Sequence, residues 1–497
     1  MNNAFVSNMQ KENNWTLTEN GALAMKSTNS DIVDLFGTIG SLRSRPASEV
    51  ERLFSKAFAE DKLLATKMAF YARNVRGGLG ERDTARTIWH YLAMTQPEIM
   101  RKNLQYIPFF GRWDDLYCLM DTPVEADMWN LIRTQFEEDW KGMQEKGSIS
   151  LMAKWLKNTN SKNATYAKQG MRTARALKMS DKDYRKAMSA LREYLGIVEV
   201  NMSKGDFSAI TYSAVSSRAM TRYRKAFANH DAEGFQKYLD SLTKGETKVN
   251  ASTLYPYDIM EQYGLRENYT WSSRNAYLSC GQYDAVLEEQ WKALPNYVEG
   301  ENNVLVMADT SGSMSGRPLA SAVGLAIYFA ERNKGAFKDV FMTFSHDPKF
   351  VTLKGSTLKD RIGSVEAIVA DTDIERAFKR ILSVSVENKV PAEDMPKALV
   401  IISDMEFNMA TRGNHQNYYD HMSQMYAEAG YTMPTVIFWN VASRQDVFHV
   451  ACDKKGVQLA SGQSASTFKS IMANIGKTPY QAVVDTLSNE MYSMITV

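Results

Sequence analysis

The feature that most restricts the fold is an alternation that begins after Leu294-Pro295-Asn296. Short apolar runs at 303–308, 340–344, 350–353, 398–403 and 435–439 alternate with amphipathic segments at 319–332, 374–382, 418–429 and 479–491. Runs such as Val304-Leu305-Val306-Met307-Ala308 carry no polar alternation, so both faces of such a strand must be covered. Buried strands separated by helices predict a parallel α/β sheet wrapped by helices.

Before that point the texture is helical. Apolar residues recur at three- and four-residue spacing over 49–59, 63–74, 83–94, 182–195 and 217–229. Short breaks punctuate them, at Arg76-Gly77-Gly78, Gln96-Pro97, Phe110-Gly111 and Thr159-Asn160. Convincing strand runs are absent here. Serial helices of roughly 10–15 residues with short turns suggest an α-solenoid or a ring of helical pairs, although no fixed-period repeat is visible. The expected division is residues 1–297 for the helical module and 298–497 for the α/β domain.

A chain of 497 residues exceeds one ordinary core, in agreement with two domains. Its three cysteines, Cys118, Cys280 and Cys452, are odd in number and form no CxxC, which points to a reduced, cytoplasmic chain. Residues 1–15 contain no apolar signal core, and no stretch reaches the roughly 18 apolar residues of a membrane span, so no membrane role is expected. The net charge of +2 conceals an asymmetry. Residues 151–230 hold sixteen Lys/Arg against five Asp/Glu, a net of +11 that leaves −9 for the remainder. One strongly basic stretch in a nearly neutral chain implies a localised anionic partner.

The first apolar run ends in Asp309-Thr310-Ser311-Gly312-Ser313. In open α/β sheets ligands bind beyond the carboxyl ends of strands, which is where this turn falls. Asp309, Ser311 and Ser313 offer one carboxylate and two hydroxyls, hard oxygen donors suited to Mg²⁺, with Mn²⁺ or Ca²⁺ as alternatives. Asp404 ends another apolar run, and Thr372 lies between them at a helix start. In the basic stretch, Lys168, Arg172 and Arg175 share one helix face, and Arg218, Arg222 and Lys225 repeat the arrangement. Met171, Ala174 and Leu177 are expected to face the core. Lys182 and Arg185 belong to a third cluster, and neighbouring aromatics and amides suit contact with unpaired bases. Trp113-Asp114-Asp115 reads as the first turn of a helix, and Arg76–Arg82 as a turn between helices.

The DxSxS turn, followed by Thr372 and the strand-terminal Asp404, resembles the metal-ion-dependent adhesion site of the von Willebrand factor A family. Leu17–Gly21 with Ile32–Phe36, Phe70–Asn74 leading into Arg76–Arg82, and Arg172–Tyr184 with its Ser180–Tyr184 turn resemble the TROVE module of the Ro autoantigen group. Gly111–Asp115 and Asp309–Met314 are similar to a bacterial and phage branch of that group whose function is unknown. The resemblance implies a TROVE-like ring of HEAT-like repeats followed by a von Willebrand factor A domain. It also implies a non-enzymatic ribonucleoprotein component that binds small noncoding or misfolded RNA in quality control or storage. Lys168, Arg172, Arg175, Lys182 and Arg185 would be the RNA contacts. Two rivals remain: an interaction module that grips an acidic residue of a protein partner through the metal, and a metal-dependent nuclease. A single cation site without a second carboxylate cluster or a nearby base argues against the nuclease.

Overall fold

The computed structural model describes residues 13–267, 276–298, 303–344, 348–367, 374–408 and 418–497. The chain forms two compact units: residues 1–65, 77–79 and 251–489 make the first, and residues 66–76, 80–250 and 490–497 the second.

The first unit is built on a six-stranded sheet in the order Val457–Ser461, Thr435–Asn440, Ala398–Ser403, Val304–Asp309, Val340–Phe344, Lys349–Thr352. All neighbours are parallel except the last pair, which is an antiparallel hairpin. From Val304–Asp309 the chain first builds outward to Val340–Phe344 and Lys349–Thr352, then returns to the other side through Ala398–Ser403. The strand order therefore reverses between Val304–Asp309 and Ala398–Ser403. Both strands are buried along their whole length, as their unbroken apolar runs require. The helix Arg317–Arg332 is buried at every position from Leu319 to Ala330. Such all-round burial needs cover on more than one side. It comes from the sheet and from the helix Pro256–Tyr263, so close at Gly324 that a Cβ there would lie 3.1 Å from Met260 Cγ.

The N-terminal segment completes this unit. The helix Asp31–Thr38, capped by Ser30, packs on Val457–Ser461. A Cβ at Gly40 would stand 2.6 Å from the Gly462 nitrogen, so only glycine allows the two backbones this approach. The helical expectation for the N-terminal half is corrected at two places. Trp15–Leu17 and Leu23–Met25 form an antiparallel hairpin, and Arg266–Glu267 pairs with Ala276–Ser279, which pairs with Glu366–Ala367. Strands of two to four residues are too short to show a period. Val457–Ser461 was also not anticipated. Its Gln458 breaks the apolar run, yet it is buried because its amide donates to the Asn474 and Lys477 carbonyls at 2.9 and 3.0 Å.

The second unit is helical, with Arg82–Thr95, Glu125–Gln144, Ala164–Ala176, Asp181–Tyr194, Ser217–His230 and Ala232–Thr243 as its main elements. Phe70 packs against Trp89 and Phe110, with ring centroids 5.2 and 5.4 Å apart. The C-terminal residues belong here too. Tyr492 stacks on Phe110 and accepts from Asn74 at 2.9 Å, while the Asn103 side chain exchanges two hydrogen bonds with the Thr496 backbone. The compact units are thus drawn differently from a single cut at 297/298. Residues 13–65 and 251–298 supply apolar cover that the sheet lacks, and residues 490–497 supply an aromatic plug to the helices.

Candidate cation site and basic helical face

The parallel register sets Ala308 beside Ile402 and Asn440 beside Ser403. Three adjacent strand ends therefore converge: Asp309, then Ser403-Asp404, then the loop that follows Asn440. This is the switch point of the sheet, the position at which α/β folds open a crevice. Asp309 is fully buried. Its Oδ1 accepts from the Ser311 amide at 2.9 Å and its Oδ2 from the Ser403 hydroxyl at 2.7 Å. Burial, and next the Asp404 carboxylate, push the Asp309 carboxyl up to about 6 against the pull of those hydrogen bonds. The Ser311 and Ser313 hydroxyls lie 3.1 Å apart.

Four of the five residues expected to hold a cation are brought to this point. Thr372 lies outside the described residues. Among the described residues, no three His, Cys, Asp or Glu side chains are grouped as a metal cluster, so the donor set is two carboxylates with hydroxyls. That set fits a hard divalent ion, because the ion would relieve the repulsion between two buried carboxylates that Asp309 registers.

Sequence reading missed several residues here. Arg444 Nη2 donates to Asp404 Oδ2 at 3.0 Å and to the Ser313 carbonyl at 2.5 Å, and its Nη1 donates to Glu19 Oε2 at 3.0 Å. Glu406 is buried and accepts the Glu19 amide at 2.6 Å on Oε2, and its Oε1 has no hydrogen-bond partner among the described residues. Burial pushes its carboxyl up to about 7. Arg444 follows a strand, so the carboxyl-end rule would have flagged it; nothing local flags Glu19.

The basic residues are placed less uniformly than their spacing implied. Lys168, Arg175, Lys182, Arg218, Arg222 and Lys225 are exposed. Arg172 is half-buried and committed within the unit, to Asp121 at 2.8 Å and to Glu125. Arg185 donates to the Thr159 hydroxyl at 3.1 Å. Met171 is exposed rather than core-facing, because Gly170, Thr173 and Ala174 form the buried stripe. Asp114 and Asp115 do open a helical turn, but Arg73, Arg86, Arg112 and Lys157 surround them in a buried ion network. Burial opposes ionisation of Asp114, yet the nearby cations win and hold its carboxyl below the usual range.

Residues 18–145 and 145–302 match the model described as Domain of unknown function (DUF2828), more than half of the chain. The chain belongs to the DUF2828 family. Residues 303–491 of this DUF2828 chain match a second model, Domain of unknown function (DUF7788). The mimivirus protein "Uncharacterized protein L728", from Acanthamoeba polyphaga mimivirus, is 27% identical over 507 residues, covering 92% of this chain and 85% of the relative. Among solved structures, the RO (RSR) protein of Deinococcus radiodurans is similar with a TM-score of 0.46 at 13% identity, over 89% of this chain and 98% of that one. No helix among the described residues is long and apolar enough to cross a membrane.

Proposed function

We propose that this protein is a non-enzymatic, cytoplasmic RNA-binding protein of Ro-like type, taking small noncoding or misfolded RNA on its helical unit and a divalent cation, Mg²⁺ first, on its sheet unit. The observation that carries the RNA reading is a set of uncompensated cations. Arg175, Lys182, Lys186 and Lys225 are exposed and form no ion pair among the described residues. Exposed charge without an ion-pair partner is charge available to phosphates. The rival reading, a module that grips a partner's carboxylate through the cation, is favoured by the site's place at the switch point.

Filter binding across salt concentrations separates the two. Reversing Arg175, Lys182 and Lys186 to Glu is expected to weaken structured-RNA binding about tenfold or more at low salt and to reduce the log–log salt slope by about 2, at roughly 0.7 per lost phosphate contact. Unchanged affinity and slope would leave these side chains as a solvated face and favour the interaction module.

A further inference from the structure

The Arg444 guanidinium touches both arms of the cation site. It bonds Asp404 on one strand end and the Ser313 carbonyl on the other, and its second nitrogen is held by Glu19. The loop that carries it is fixed from several sides. Asp446 pairs with Arg45 and Arg52 at 2.6 Å each, Arg45 also donates to the Arg444 carbonyl, and the Ser443 amide donates to the Ser41 carbonyl. Glu19 is equally anchored. Its amide bonds Glu406, Thr18 donates to the Phe407 carbonyl at 2.6 Å, and Asn20 donates to the Glu406 carbonyl at 2.6 Å. Two anchored acids thus share one guanidinium carried on an anchored loop.

We propose that Arg444 and Glu19 are positioning residues that set the affinity of the cation site: Arg444 competes with the divalent ion for Asp404, and Glu19 draws Arg444 away. This rests on the cation reading of the site. The cluster sets the acids Asp309, Asp404, Glu19 and Glu406 against one guanidinium, so it is rich in carboxylate groups that a divalent ion can offset. A cation bound between Asp309 and Asp404 repels the guanidinium 3.0 Å from Asp404, and the cost falls as Arg444 moves toward Glu19. Linkage is reciprocal, so a bound cation tightens the Glu19–Arg444 pair and with it the docking of the Trp15–Leu17/Leu23–Met25 hairpin. The N-terminal segment thereby reports occupancy of a site nearly 300 residues away in sequence.

Mn²⁺ titration of the full chain by calorimetry tests this, with hydrogen exchange of the 15–25 hairpin as a second readout. Arg444→Gln removes the competing charge and is expected to tighten Mn²⁺ binding about fivefold or more; Glu19→Gln, which leaves Arg444 on Asp404, is expected to weaken it about threefold. In the double variant the Glu19 change adds nothing, because the residue it acts through is gone. Mn²⁺ slows exchange in the parent hairpin and not in Arg444→Gln. Should Arg444→Gln disturb the turn through its Ser313 bond, Glu19→Gln, an exposed substitution, carries the test alone. If the parent binds Mn²⁺ and both single variants bind it equally well, the proposal is overturned while the site stands. If the parent binds no more Mn²⁺ than Asp309→Ala, the cation reading itself fails.

Discussion

Asp34 lies in the first turn of Asp31–Thr38 and is buried, with Oδ1 accepting from the Thr28 amide at 2.7 Å and from the Thr28 hydroxyl at 2.6 Å. Desolvation outweighs these bonds and pushes its carboxyl up to about 6 from an ordinary 3.8. A carboxyl raised by folding keeps its proton between those values while the unfolded chain loses it. Asp34 therefore favours folding most below about pH 4, and that contribution is lost as pH rises through 6. Asp34→Asn keeps the acceptor oxygen and cannot titrate. Its stability relative to the parent is expected to rise by about 3 kcal/mol between pH 3.5 and pH 7, at about 1.4 kcal/mol for each pH unit of displacement. Urea denaturation of both proteins across that range checks it, and a flat difference refutes it. The same scale shows where sequence reading stops. Arg172, Arg175 and Lys168 were legible as one helix face, but the acids that claim Arg172 lie 51 and 47 residues away. Periodicity says which residues share a face, not what that face meets.

Elements were read well where they were long. Segments 83–94 and 182–195 correspond to the helices Arg82–Thr95 and Asp181–Tyr194, and the runs 340–344 and 398–403 to the strands Val340–Phe344 and Ala398–Ser403. Three-residue strands escaped, as did Val457–Ser461, whose buried glutamine donates to carbonyls 16 and 19 residues further along, beyond the helix Thr467–Ala473. The packing of these elements predicts the behaviour of fragments. Residues 298–497 alone leave uncovered both the face of Val457–Ser461 under Asp31–Thr38 and the flank of Arg317–Arg332 under Pro256–Tyr263. That fragment is expected to lack a cooperative melt. Residues 251–489 produced together with residues 1–65 are expected to regain one, followed by circular dichroism. A cooperative melt of 298–497 alone would show that the N-terminal cover is dispensable.

At the scale of the molecule, the charge asymmetry and the division into units bear on the same question. The basic stretch lies in the helical unit and the acidic convergence at Asp309 and Asp404 in the sheet unit. If each unit carries its own ligand, losing one site should spare the other. Asp309→Ala is expected to abolish Mn²⁺ binding and to change RNA affinity less than about twofold, whereas removing a phosphate-contacting charge costs a countable share of the salt slope. Filter binding of the Asp309→Ala protein, with and without Mn²⁺, checks this. A large loss of RNA affinity would mean that the cation site and the RNA face act together.

Local sequence determined the positions of the long helices and central strands, and it placed Asp309, Ser311, Ser313 and Asp404 at strand ends, because helical and strand periods act over a few neighbouring residues. Tertiary structure alone decided that the ends of Val304–Asp309 and Ala398–Ser403 lie side by side at the switch point. It also set Arg444 and Glu19 against Asp404, gave residues 13–65 to the sheet unit and gave residues 490–497 to the helices. Those decisions follow from strand order and from ion pairs and apolar cover made across hundreds of residues, and such contacts leave no period in the chain.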